Sequence, residues 1–270
     1  MGNIDVLARF ERWLLSTDRS DDTIRLRMGH VRRLAIRHEL LEVTPDDLEA
    51  IMANRRHLAD ETRKSELASW RVFYSWTMRK GLRTSDPTTE IDSIKVKPRM
   101  PKIAPDAAVA DALEGATDYE RAMILLGRGA WLRLNEITTL HTRDRVGDVL
   151  VIRGKGGRER VVPLNGEVAA ALDVIEAAQG PGYYFRGEKG EHMHKMSVNK
   201  IITRRLGHNP HSLRHAGATA GYRETRNLRA TQEMLGHASS ATTQRYTHLT
   251  DEERRELAEA SRVMTARLAA

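Results

Sequence analysis

The chain has no cysteine among its 270 residues, which removes disulfides, thiolate nucleophiles and Cys-ligated zinc from consideration and fits an intracellular protein. It also lacks a run of about 18 apolar residues and a basic leader followed by an apolar stretch, so neither a membrane span nor a secretory signal is expected. No stretch, Gly154-Lys155-Gly156-Gly157 included, matches a nucleotide phosphate loop, and ATP dependence has no support. Internal repeats and low-complexity tracts are absent. What is present is 40% hydrophobic and 30% charged residues, an ordinary soluble composition in a chain long enough for one large core or two modest ones.

The formal charge of +7 is unevenly spread. Residues 1–94 hold 16 basic and 16 acidic side chains, whereas residues 95–102 hold four basic and none acidic. With two prolines, the segment Lys95-Val96-Lys97-Pro98-Arg99-Met100-Pro101-Lys102 reads as an extended linker able to lie along a polyanion. A solvated connector is the alternative that charge alone leaves open.

Before that segment, Ile4, Val6, Leu7, Phe10, Trp13 and Leu14 recur at helical spacing. Ile24, Met28, Val31 and Leu34 do so again after Ser20-Asp21-Asp22-Thr23. Thr44-Pro45-Asp46-Asp47 predicts a helix start with proline at its first position. A longer helix is predicted over 61–80, stopping at Gly81. Four helices in a bundle are expected. Beyond the linker, helices are predicted over 105–114, 119–131, 167–178, 196–206, 211–223, 228–235 and 251–268. The β-branched runs Val149–Ile152 and Arg160–Val162 predict a hairpin around Gly154-Lys155-Gly156-Gly157.

The residues able to do chemistry crowd toward the C-terminal end. His211-Ser212-Leu213-Arg214-His215, Leu235-Gly236-His237 and Arg245-Tyr246 put phosphate-grasping cations and a hydroxyl nucleophile in one stretch, a pattern suited to phosphoryl transfer without a metal. His211 and His215 stand four apart and could share a metal on a helix face. However, Arg214 would place a fixed cation beside the ion, and the motif contains no carboxylate. His192-Met193-His194 lacks Cys or carboxylate support in the same way. No metal and no cofactor are expected. Taken singly, Lys155 reads as a turn residue, Arg133 as a surface arginine and Tyr246 as a core aromatic.

Taken together they resemble the tyrosine recombinase, or phage integrase, family over nearly the whole chain. Trp131-Leu132-Arg133-Leu134-Asn135-Glu136-Ile137-Thr138-Thr139-Leu140 is similar to its first arginine box, and Arg153 to Pro163 to its lysine hairpin. Pro210-His211-Ser212-Leu213-Arg214-His215 is similar to its second box. Leu235-Gly236-His237, nine residues before Tyr246, completes the order. The resemblance implies a mainly α fold with a small antiparallel β-sheet. It implies an N-terminal helical core-binding domain (SAM-like) over 1–93, the basic linker over 94–102, and a mixed α+β catalytic domain over 103–270, closing on DNA as a C-shaped clamp.

It further implies that Arg133 and Arg214 grip the scissile phosphate and that Lys155 protonates the leaving 5′ oxygen. His211 and His237 assist at the phosphate, and Tyr246 forms a 3′ phosphotyrosyl bond. Glu136 holds basic side chains in place, and His215 is scaffold. Lys95, Lys97, Arg99 and Lys102 contact the DNA backbone. Four subunits assemble on two duplexes and exchange strands through a Holliday junction.

Three places depart from the family pattern. Trp131 stands where glycine is common, Gly217 where a larger apolar residue is common, and Thr225-Arg226 in place of a Gly-Ala-like turn. They bear on helix packing and activation between subunits rather than on chemistry.

The first helix at about Asn3 leaves no room for an arm-binding domain, so a short form acting at core or attachment sites is expected. Leu268-Ala269-Ala270 resembles a bacterial degradation tag and suggests a partner ATP-dependent protease. It favours a temperate phage integrase, with a directionality factor as a further partner, in the cytoplasm of a bacterial host and associated with the nucleoid. The alternatives are a chromosome-dimer resolvase, a transposon recombinase, a type IB topoisomerase, or a DNA-binding protein without catalysis.

Overall fold

Thr44 and Asp47 close a reciprocal capping box at the start of a helix over Pro45–Asn54, which stabilises a helix end by about 1 kcal/mol. In this computed structural model, which describes residues 1–97, 102–154 and 159–236, that helix is α3 of four in a first unit, Met1–Arg99. The others are α1 (Asn3–Leu15), α2 (Asp21–Ala35) and α4 (Asp60–Arg79). Leu67, Trp70, Tyr74 and Thr77 of α4 recur at helical spacing and are all buried, the stripe expected of a core-facing helix. Phe10 of α1 meets Phe73 edge-on with centroids 5.0 Å apart; burying such a ring stabilises by about 1.5–3 kcal/mol relative to exposure. Glu66 is buried in the same bundle and pairs with Arg55 and, at 3.7 Å, Arg33. Gly81 takes φ +62° just past the end of α4, the left-handed conformation that glycine enters without a Cβ clash.

The second unit, Met100–Ala270, is also mainly helical. Its helices are α5 (Asp106–Leu113), α6 (Asp118–Arg128), α7 (Leu134–Thr138), α8 (Gly166–Gln179), α9 (Lys195–Leu206), α10 (Pro210–Thr225) and α11 (Leu228–Leu235). Helix α6 is its centre: Ala122, Met123, Ile124, Leu125, Leu126 and Gly127 are consecutive and all buried, so it is covered all round rather than on one stripe. A three-stranded antiparallel sheet runs in the order β1 (Arg145–Val146), β2 (Val149–Arg153), β3 (Glu159–Pro163). Leu150 and Ile152 of β2 and Val162 of β3 are buried, while Val161 is exposed, the period-two alternation of a sheet with one covered face.

One predicted boundary is wrong in an informative way. The apolar pattern predicts a helix continuing to Trp131, but α6 ends at Arg128. A Cβ at Gly129, the residue capping α6, would lie 2.7 Å from Val168 Cγ2, and Trp131 leaves helical space altogether with φ +53°. The two-residue strand β1 and the single turn of α7 carry too little periodicity to be predicted. The helix predicted over 251–268 lies outside the described residues. Among the described residues no helix is long and apolar enough to cross a membrane.

Candidate active site

Three charged side chains from distant parts of the second unit converge on Glu136. Arg133 is the residue preceding α7, and its backbone N–H donates to Glu136 Oε2 at 2.7 Å while its Nη1 donates to Oε1 at 3.0 Å. Arg160, on β3, grips both carboxylate oxygens of Glu136 at 2.8 Å, the forked geometry that only a guanidinium supplies. Arg214, on α10, approaches Glu136 Oε2 to 3.8 Å. Burial by itself would raise the carboxyl pKa of Glu136, but the hydrogen bonds and charge of Arg160, then Arg133, overcome it and hold the group at about 2. Glu136 is therefore ionised throughout the neutral range and keeps three cations together that would otherwise repel.

The same arginines take hold of the C-terminal end of α11. Leu235 carbonyl accepts from Arg133 Nη2 at 3.3 Å and from Arg214 Nη2 at 2.6 Å, and Met234 carbonyl accepts from Arg160 Nε at 3.0 Å. The last carbonyls of a helix have no partner within it and carry its negative partial charge, so guanidinium groups suit that position. Gly236 ends α11 at φ +62°, and a Cβ there would come within 2.9 Å of Arg160 Cδ. The chain is thus pinned immediately before His237.

His211 stands in the first turn of α10, which opens with Asn209 as its cap and Pro210 at the first helical position. Its ring lies edge-on to that of His215, centroids 4.4 Å apart. Partial desolvation, then the charges of Arg214 and Arg133, hold His211 below the ordinary imidazole pKa. Arg214 itself is almost completely buried, and its Nη1 donates to the carbonyl of Trp131 at 2.5 Å. The left-handed backbone of Trp131 costs a residue with a side chain on the order of 1–2 kcal/mol.

The structure thus brings Arg133, Glu136, His211 and Arg214 together. Lys155, His237, Tyr246 and Arg99, as well as Leu268-Ala269-Ala270, lie outside the described residues. Lys95 and Lys97 are exposed at the end of the first unit, and Lys102 is exposed near the start of the second. His192 Nδ1 donates to the carbonyl of Met193 at 3.0 Å, and His194 caps α9 by accepting from the N–H of Met196. Both are therefore engaged in local backbone structure. Among the described residues no group of three or more His, Asp or Glu could hold a metal ion.

Arg160 is the residue that sequence reasoning missed. The signal was available: it lies two residues from Val162, so both face the covered side of the hairpin, and a charged group there requires a partner.

A family model described as "Phage integrase family" matches residues 107–253. The tyrosine recombinase XerC of Pelobacter propionicus is 34% identical over 233 residues, covering 76% of this chain and 76% of that protein. Among solved structures, a lambda integrase dimer bound to a COC' core site aligns with TM-score 0.76 at 18% identity, over 92% of this chain and 96% of that one. A lambda integrase tetramer bound to a Holliday junction aligns with TM-score 0.75 at 16% identity, over 93% and 80%. The structural likenesses speak for the fold, and the sequence matches for the lineage. The chain belongs to the phage integrase family, the tyrosine recombinases.

Proposed function

We propose that the chain cuts and rejoins duplex DNA at specific sites through a covalent tyrosine intermediate. The observation that carries this reading is the convergence of Arg133 and Arg214, 81 positions apart in the sequence, on one carbonyl at the end of α11. Two guanidiniums so placed can donate to the non-bridging oxygens of one phosphodiester and stabilise the charge that builds in its pentacovalent transition state. Tyr246 Oη attacks the phosphorus, and the bond to the 5′ oxygen breaks. Lys155 Nζ delivers the proton that this oxygen gains. The 3′ phosphotyrosyl bond conserves the energy of the broken linkage, so attack by the 5′ hydroxyl of a second strand rejoins DNA without ATP. His211, held neutral near pH 7, accepts a hydrogen bond or proton beside the nucleophile, and His237 donates to the phosphate.

In this reading residues 1–93 bind the core site, the basic linker over 94–102 follows the backbone, and 103–270 carry the chemistry. Four copies act on two duplexes through a Holliday junction, a proposal supported by the tetrameric form of the lambda integrase neighbour. The protein acts on DNA within a bacterial cell as a phage integrase, its direction set by a separate factor and its abundance limited through Leu268-Ala269-Ala270. The likeness to XerC proteins favours a second reading with the same chemistry, a chromosomal resolvase.

Mapping the genomic junctions made in cells that express the protein separates the two: phage–chromosome joints support the integrase, and exchange between copies of one chromosomal site supports the resolvase. On a nicked suicide duplex built from the mapped site, wild type is expected to leave a denaturation-resistant adduct and Tyr246→Phe none. Binding without any adduct from wild type would instead identify a DNA-binding protein. Converting the last two alanines to aspartate is expected to lengthen cellular half-life, and an unchanged half-life would dispose of the turnover idea.

A further inference from the structure

Trp131 combines a backbone that side-chain-bearing residues rarely adopt, φ +53°, with an indole laid along a stripe of α10 that has no side chains. Gly217 and Gly221 follow Arg214 by three and seven positions, so the three share one helix face. A Cβ at Gly221 would lie 2.5 Å from Trp131 Cζ2. One at Gly217 would lie 2.5 Å from Trp131 Cδ1 and 2.1 Å from the Arg128 carbonyl oxygen. At the head of the same stripe the Trp131 carbonyl accepts from Arg214 Nη1, and the Leu235 carbonyl accepts from Nη2. The side chains of Trp131, Leu235 and Ala218 pack as a small cluster of their own. The guanidinium of Arg214 is therefore suspended between two carbonyls whose residues are wedged against each other.

We infer that Trp131 is a positioning residue for Arg214: its indole, seated in the slot left by Gly217 and Gly221, fixes the carbonyl that sets the orientation of the guanidinium. This rests on the reading of Arg214 as a phosphate-binding group. A tryptophan that only filled space could do so from any backbone conformation. The left-handed one brings indole and carbonyl onto the same face of α10. The two departures from the family pattern at positions 131 and 217 are then one arrangement, the bulk of the first occupying the space vacated by the second.

The test is the single-turnover rate of adduct formation on the nicked duplex at saturating protein, with affinity and melting temperature measured separately. Trp131→Gly keeps the backbone but releases the carbonyl, and Gly221→Ala displaces the indole. Each is expected to slow cleavage roughly 10- to 100-fold, the scale of a misplacement near 1 Å, with affinity for the site unchanged. The double variant should be no slower than Trp131→Gly alone, because the added methyl then meets open space. Placed on Arg214→Lys, Trp131→Gly should add no further loss. A Trp131→Gly protein that melts earlier but cleaves at the wild-type rate overturns the role, as does one that slows Arg214→Lys as much as it slows wild type. Absence of adduct from wild type would instead overturn the recombinase reading and this role with it.

Discussion

Glu136→Gln removes one negative charge from beneath three guanidiniums while leaving the shape of the side chain nearly intact. The Glu136 carboxyl is held at about 2 against an ordinary value of 4.5. At 1.36 kcal/mol per unit, that depression corresponds to about 3 kcal/mol of stability. The figure agrees with the cost of breaking a buried ion pair from one side, about 3–5 kcal/mol, because Arg160 and Arg214 remain buried without the charge that offset them.

The sign follows from the direction of the shift. The folded pKa lies below the unfolded one, so the contribution is complete above pH 4.5 and is lost as pH falls toward 2. Opening free energies of β3 and α10 amides, read by hydrogen exchange across a pH series, report this for the second unit alone. Other carboxylates titrate in both proteins, so the informative quantity is wild type minus variant. It should be about 3 kcal/mol at pH 7 and shrink toward zero near pH 2. A difference below about 1 kcal/mol at pH 7, or one that does not change with pH, would refute the reasoning.

Three further outcomes are expected. Since burial and the charges of Arg214 and Arg133 lower the pKa of His211, this residue takes up its proton at a lower pH than an ordinary imidazole does. The acid limb of the second-order rate of adduct formation should have its midpoint below the ordinary imidazole range, whereas His211→Gln should lose this limb. Replacing Lys95, Lys97, Arg99 and Lys102 with glutamine should weaken DNA binding and reduce the slope of log affinity against log salt by up to about 0.9 per lost phosphate contact. An unchanged slope would mean the segment does not touch DNA. Because guanidinium groups supply the charge at the phosphate in this reading, EDTA should leave the cleavage rate unchanged, and a loss restored by a divalent ion would contradict it.

Local chemistry made much of the fold legible. Thr44-Pro45-Asp46-Asp47 carries its own capping instructions, and α11 begins after Asn227 and ends before Gly236, where a cap and a left-handed glycine belong. The arginine boxes could be read because they are contiguous. What could not be read depends on partners far along the chain. Trp131 is apolar at helical spacing and fits the preceding helix by every local measure. It lies instead outside that helix, against Gly217 and Gly221, about 90 residues away in sequence. The sequence shows each departure separately, and the structure shows that they occupy one volume. Arg160 stands between the two cases: its place on the covered face of a strand is legible and calls for a partner, but only the fold identifies that partner as Glu136.

Arg160 joins parts of the chain that are far apart in sequence. Its guanidinium is bonded to Glu136 and, 74 positions along the chain, to the Met234 carbonyl. Position 155 precedes it by five residues, and position 237 directly follows the glycine that leans on it. The described ends of the two segments that lead toward the proposed acid and nucleophile, β3 and α11, are therefore tied through a single side chain. A displacement of the end of α11 would therefore act on β3 through that one guanidinium.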